Sequence, residues 1–409
     1  VSNQDALPRL RYVDAFPVDV EGEQLIYLRD PEGIAGEGLR VPTQVFELMR
    51  LLDGHRTMEE LQGGFAEETG GMTVSGDQVN ELIQSLDDAL LLDSDRFRRH
   101  RKEVEEAYRL EPKGHSPLAG RSYPEDPDAL GTLIEGFFSD PAGPGNTPAG
   151  GCVKGLVAPH IDFSRGGPCF AWAYNELRNQ PPADVYVVLG TGHTSRKPYT
   201  LTRKVFETPL GDLASDQRLI DRISGYADQD LFEDEFAHKN EHSIEFQAVF
   251  LKYLFPDADI SFVPILCGSF YQSVEEGVQP NLRPEVEDFV SALRRALEEE
   301  DRSVCLIAGV DFSHVGEQFG DAGPMSDAFI NNVRIFDADL LGAAGNRNAE
   351  AFFDVTVRDR DRHRVCGTPS IYSMLQVLNA SSGKLLKYDQ AIDREADSLV
   401  SFASMAFYE

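Results

Sequence analysis

Cysteine is scarce in this chain, and what there is does not pair up. Five cysteines stand in 409 residues, an odd number with no C-x-x-C among them. That argues against a disulfide scaffold and for a reducing, cytoplasmic setting. Long apolar runs are missing as well. None reaches the roughly 18 residues of a membrane-spanning helix, so no membrane partner is expected. The amino terminus lacks the basic-then-apolar pattern of a secretory signal, and none is expected. Basic charge is short: 38 Lys and Arg face 69 Asp and Glu, a net charge of −31. An acidic surface repels a phosphate backbone, so nucleic acid is not an expected partner.

What is present suits a packed protein of two domains, with 41% hydrophobic residues over a length too great for one ordinary core. The chain is organised around Lys154 to Gly167. An apolar run reaches Ala158-Pro159-His160 and is followed by a polar turn, Asp162 to Gly167, and an apolar helical stretch. This reads as a buried strand with His160 at its carboxyl end, the edge at which open α/β sheets bind ligands. Two more segments share that grammar. Val185–Gly190 runs into His193, and Val304–Val310 runs into Asp311-Phe312-Ser313-His314. If the three strands are parallel neighbours, three imidazoles gather at one sheet edge.

Residues 8–100 read as a small separate domain. Two strands, 16–20 and 24–28, precede helical spacing over 42–52, a helix capped by Thr57, and a third from Val79 to Leu92. That order suits a winged-helix-like α+β module. Residues 96–113 are charged and read as a helical connector, with the join itself placed at 101–114. A helix is expected over 127–138, then a Gly- and Pro-rich loop to Gly151. Beyond it, strands at 260–267, 385–388 and 399–407 alternate with helices near 242–255, 284–299, 325–341 and 370–378. The alternation predicts an α/β domain over 115–409.

Two neutral imidazoles and an anion on converging loops form a common open metal site. His160 and His193 supply the imidazoles. Cys366 supplies the anion, since it precedes a helix whose positive dipole end lowers a thiol pKa. Iron(II), zinc and copper all fit such a donor set. His314 is then a neighbour of the metal, with Asp311 three residues earlier to orient its ring for proton transfer. Glu241 and His242, at a helix start, line the same pocket. Asp162 caps the turn after His160 or reaches the metal. Arg165 near the mouth binds an anionic group or pairs with surface acids. His55, His100, His115 and His363 read as surface residues, and Cys152, Cys169, Cys267 and Cys305 as core.

Ala158-Pro159-His160, Leu189-Gly190 with His193, Glu241-His242-Ser243-Ile244-Glu245, Asp311-Phe312-Ser313-His314 and Cys366-Gly367 resemble, in that order, the motifs of the MEMO family. Ala119 to Pro127 and Ser398 to Ala403 resemble its opening and closing segments. The likeness is to the AmmeMemoRadiSam system protein B type. It implies a three-layer αβα fold similar to class III extradiol dioxygenases, which hold a non-haem iron(II) with two His and one carboxylate. It also implies metal ligation by His160, His193 and Cys366, with His314 at the acid–base position. Cys366 stands where those dioxygenases have a carboxylate, and the turn 161–166 departs from the family's aromatic-rich one. Residues 15–95, through Leu51-Leu52-Asp53-Gly54-His55-Arg56-Thr57 and Val79 to Leu92, resemble PqqD-like domains, which bind a peptide on a strand edge.

The leading expectation is a metal-binding protein with one transition metal ion, iron(II) foremost. Its site would run O₂-linked or other redox chemistry, as a dioxygenase-like oxidoreductase, on a small molecule or peptide. The MEMO resemblance also implies a peptide or a radical SAM protein as a partner, and the amino-terminal domain is expected to deliver a peptide or dock a partner. A zinc-type hydrolase and a non-catalytic metal-binding interaction protein are the alternatives.

Overall fold

The computed structural model describes residues 6–409 except Glu21, Glu37 and Asn179. It divides into two compact units, Val1–Leu110 and Glu111–Glu409.

The first unit is α+β. Strands β1 (Asp14–Val20), β2 (Glu23–Arg29) and β3 (Leu39–Pro42) form an antiparallel meander. Helices α1 (Thr43–Arg50), α2 (Met58–Glu68), α3 (Gly76–Asp88) and α4 (Asp95–Leu110) follow. Thr57 and Ser75 each close a capping box, with Glu60 and Gln78, which explains where α2 and α3 begin. Leu28, Met49, Leu61, Phe65, Val79 and Leu86 fill the core. The stretch read as a charged connector, 101–114, is different. Residues 95–110 are one continuous helix of the first unit. Phe97 is buried under the Arg11 guanidinium, 3.5 Å above its ring, and Arg101 pairs with Glu32 at 2.5 Å. The helix expected there is found, and pairing within the unit, invisible to composition, is what places it in the first unit.

The second unit runs β4 (Lys113–Gly114), α5 (Pro127–Ser139), β5 (Val153–Ala158), α6 (Phe163–Arg178), β6 (Val185–Thr191), β7 (Tyr199–Leu201), β8 (Val205–Phe206), β9 (Ala214–Ser215), α7 (Gln217–Tyr226) and α8 (His242–Leu254). It continues with β10 (Ser261–Cys267), α9 (Tyr271–Glu276), α10 (Pro284–Glu298), β11 (Val304–Gly309), β12 (His314–Gly316), α11 (Asp327–Gly345), α12 (Ala349–Arg358), α13 (Thr368–Val377), β13 (Ser382–Asp393) and β14 (Ser398–Tyr408). Nine strands, counted among the described residues, make one mixed sheet in the order β12-β14-β5-β11-β6-β10-β7, with β13 beside β14 and β9 beside β10. β5, β11, β6 and β10 are parallel; β14 runs against β5.

The architecture is three-layered. Val185, Val187 and Leu189 of β6 point to one face, where they pack with Leu219 of α7, Phe289 of α10, Leu340 of α11 and Ile371 of α13. Tyr186 and Val188 point to the other, where Ile134 of α5, Phe170 of α6 and Phe250 of α8 cover them. That alternation is the pleat of a strand buried on both sides, which is why these strands read as unbroken apolar runs. Among the described residues no helix is long and apolar enough to cross a membrane.

Candidate metal centre

β5, β11 and β6 are adjacent and parallel, so their carboxyl ends share one edge. β5 leads to His160 and β6 to His193, two strand spacings apart, about 10 Å. Their imidazoles nevertheless meet, with ring centroids 5.0 Å apart. β11, whose last residue is Gly309, lies between their two strands. That glycine lets α8 approach, because a Cβ there would lie 2.7 Å from the Ser243 carbonyl. Gly190 at the end of β6 does likewise, a Cβ there falling 2.5 Å from Ser243 Oγ. The two glycines bring the start of α8, and with it Glu241 and His242, onto the sheet edge.

Each imidazole is held from behind. His160 Nδ1 faces the Gly309 carbonyl at 3.1 Å, so the Nδ1–H donates there and Nε2 keeps its lone pair. That Nε2 lies 3.5 Å from Cys366 Sγ. His193 Nδ1 faces the Glu241 carboxylate at 3.0 Å, which leaves its Nε2 free in the same way. Ligand atoms of His160, His193 and Cys366 all lie within 4.8 Å of one another. A second such group joins His193, Glu241 and His242.

Glu241 is buried and gathers three donors: the His193 backbone N–H at 3.0 Å, the His193 ring, and the Ser243 N–H at 2.9 Å. Burial alone would raise its pKa, but His193 and these hydrogen bonds outweigh it and hold the carboxyl well below its ordinary range. His242 stacks on His193 with centroids 4.9 Å apart and stands 5.1 Å from His160. Three imidazoles therefore form a near-equilateral cluster. The third member is His242 from a helix, where the strand-end grammar pointed to His314. The cluster opens to solvent through His193 and His242, whose side chains are 38% and 34% exposed.

His314 begins β12, which pairs with β14. Its Nδ1 faces the carbonyls of Phe312 and Arg364 at 3.1 and 3.2 Å, and its ring sits edge-on to Phe319. Burial lowers its pKa to about 4, so at neutral pH it is a neutral ring with Nε2 as acceptor. The expected orientation of His314 by Asp311 is not found. Asp311 turns the other way. It accepts the His160 backbone N–H at 3.0 Å, and its other oxygen lies 3.7 Å from His160 Nε2. Burial pushes its pKa up to about 7 against the hydrogen bonds from His160 and Ile161.

The expected low thiol pKa at Cys366 is also overturned. Cys366 does lie just before α13, but burial pushes the thiol well above its ordinary value, and the neighbouring Asp311 carboxylate adds to this. Desolvation here exceeds the dipole of a ten-residue helix, so only a bound cation would make the thiolate the stable form. Asp162 caps the turn, accepting the Arg165 N–H and the Ser164 hydroxyl, and also the Arg165 side chain at 2.5 Å. His363 is not a bare surface residue: it stacks on Phe336 at 3.8 Å and pairs with Asp359. Sequence reasoning missed Gln247 and Ser370. Gln247 Nε2 donates to the Pro159 carbonyl at 2.8 Å, and Ser370 Oγ to the Gly190 carbonyl at 3.0 Å. Both tie down strand ends that carry histidines. Polar residues on otherwise apolar helix faces were the available signal.

With this geometry in place, comparison with known proteins is direct. Residues 115–406 match the family described as Memo-like protein. The chain belongs to the Memo-like family. It is 31% identical to a MEMO1 family protein of Aquifex aeolicus over 98% of this chain and 100% of that one, so the alignment spans both units. A MEMO1 family protein of Desulfurococcus amylolyticus is 30% identical over 72% of this chain and 99% of its own. One from Thermus thermophilus is 27% identical over 84% and 96%. An uncharacterized protein of Escherichia coli K12, of known structure, aligns with a TM-score of 0.33 at 15% identity, over 62% of this chain and 99% of that one. The Memo-like match covers every residue of the His and Cys cluster.

Proposed function

We propose that this Memo-like unit holds one transition metal ion through His160, His193 and Cys366, and that the site carries redox, O₂-linked chemistry on a small molecule or peptide. Iron(II) is the foremost candidate, with copper and zinc next. The observation that carries the reading is the donor set. Two imidazoles have their Nδ1 committed to a carbonyl and a carboxylate, the His160 Nε2 lies 3.5 Å from the Cys366 thiol, and one ligand atom from each of the three residues lies within 4.8 Å of the others. Fixing the tautomer from behind is how metal-binding histidines are oriented. A redox-active ion there would supply electron transfer and O₂ chemistry. The chain's own residues do the rest. Glu241 keeps His193 in its ligand tautomer. Asp311 holds the His160 turn. His314, neutral and hydrogen-bonded among the described residues only through Nδ1, would take a proton at Nε2.

The reading is tested by elemental analysis of protein purified without oxygen. One metal per chain is expected, with strong loss in His160→Ala and in Cys366→Ser. Full occupancy in both variants would refute the ligand set. Zinc alone, bound tightly, would shift the reading to metal-dependent hydrolysis with His314 as proton shuttle. For the first unit the proposal is peptide or partner-protein capture on an edge of its three-stranded sheet. β1 and β3 are each paired on one side only among the described residues, which supports it. Five free cysteines support a cytoplasmic setting.

A further inference from the structure

Arg165 is a cation in the first turn of α6, where the positive end of the helix dipole disfavours one. Asp162 offsets this by accepting from Arg165 Nε at 2.5 Å and from its backbone N–H at 3.2 Å. The anchor uses Nε only. The two terminal nitrogens, the flat fork that pairs with a carboxylate through two parallel hydrogen bonds, make no hydrogen bond among the described residues, and the side chain is 51% exposed. Asp162 therefore holds the fork in place without filling it.

The surroundings give that fork a direction. Arg165 lies one turn before Cys169 on the same helix face. Cys169 belongs to a small apolar cluster with Ile161, Val400 and Phe402, and Phe319 packs against it. Phe319 in turn stands edge-on to His314, with ring centroids 5.5 Å apart. The Arg165 charge is felt by both His314 and the buried Asp311. It is felt by Asp393 too, but that carboxylate accepts the backbone N–H groups of Glu395 and Ala396 at 2.9 and 3.0 Å. An aromatic wall and a neutral imidazole thus adjoin each other, with the free fork one helical turn from the cluster that Phe319 packs on and within electrostatic reach of His314.

We propose that Arg165 recognises the carboxylate of a substrate whose apolar body lies against Phe319, beside His314. The inference deepens the proposed function and rests on it for the chemistry, though not for the binding. A carboxylate is favoured over a phosphate because a single arginine among Asp162, Asp311 and Asp393 balances one negative charge better than two.

Calorimetric titration with benzoate, its neutral isostere benzamide, and phenyl phosphate tests this on metal-free and zinc-loaded protein. In wild type, benzoate should bind at least about tenfold more tightly than benzamide. Arg165→Met should bring benzoate down to the benzamide level and leave benzamide unchanged. Arg165→Lys should restore only part of the preference, keeping the charge but not the fork. If Arg165→Met does not fold, Asp162→Asn, which frees the anchor, should weaken benzoate alone. Equal binding of benzoate and benzamide, no benzoate binding, or a preference that survives Arg165→Met would overturn the proposal. Phenyl phosphate binding more tightly than benzoate would overturn the carboxylate assignment. The metal-free arm separates the two readings. A benzoate preference without metal sustains Arg165 even if the ligand set fails, and metal binding without an Arg165 effect refutes Arg165 alone.

Discussion

Replacing Glu241 by Gln removes one charge and turns one acceptor oxygen into a donor, with almost no change of shape. Three N–H groups converge on this carboxylate: the His193 backbone, the His193 ring and the Ser243 backbone. A glutamine can accept at only one of its two terminal atoms, so its amide NH₂ must face a donor. An unsatisfied buried donor costs about 1–3 kcal/mol. In a unit of this size that lowers the thermal midpoint on the order of 2 °C per kcal/mol. The effect on the metal is separate. Without the carboxylate charge His193 loses its polarisation and keeps a single amide oxygen as its tautomer lock, and changes of this kind lower metal affinity about 10–100-fold. That corresponds to about 1.4–2.8 kcal/mol. Competition against a chromogenic chelator, under anaerobic conditions for iron(II), measures it directly. Glu245→Gln is the internal control. Glu245 lies one turn along the same helix, accepts from Tyr123 and the Leu118 N–H through one oxygen, and has its other oxygen buried without a partner among the described residues. Burial pushes its pKa up to about 7, so glutamine mimics the protonated form it favours. An affinity within twofold of wild type in Glu241→Gln would refute the claim that this carboxylate orients a metal ligand.

Glu245 also predicts a pH effect of definite sign. Its folded pKa lies above the ordinary carboxyl value, so its favourable contribution is complete below about 4.5 and is lost as pH rises to about 7. Measured as the difference in chemical-denaturation stability between Glu245→Gln and wild type, the variant should gain across that window and level off above it; a flat difference would count against a neutral buried carboxyl. His314→Ala should keep metal occupancy near wild type yet slow oxidation of the reduced, metal-loaded protein by O₂, and loss of metal from a folded variant would make His314 a ligand instead. Gly309→Ala forces a Cβ to 2.7 Å from the Ser243 carbonyl. It should lower stability by about 1–3 kcal/mol in thermal unfolding and reduce metal occupancy together, since it pushes α8 off the sheet edge. A fragment beginning at Glu111 should bind metal as the full chain does, as read by elemental analysis, because every donor lies beyond that point.

Several features of this protein are written locally and can be read without a fold. Val153–Ala158, Val185–Thr191 and Val304–Gly309 are apolar runs that end abruptly in Pro, Gly or Asp, and that pattern alone places His160, His193 and His314 just past strand ends. The caps at Thr57 and Asp126 are equally local, each a side chain satisfying a backbone N–H three residues away. What the tertiary structure decided is everything that depends on which element lies beside which. β11 falls between β5 and β6, so the Gly309 carbonyl faces the His160 ring and the bare Cα admits the start of α8. Asp311 and His314 are three residues apart, yet one turns back to the His160 backbone and the other is drawn off to pair with β14. Spacing cannot foresee that, because the register of β12 on β14 joins residues more than 80 positions apart. The thiol of Cys366 makes the same point in energetic terms. The helix dipole that would lower its pKa follows from sequence order, but the burial that raises it further follows only from packing, and in this site packing is the larger effect.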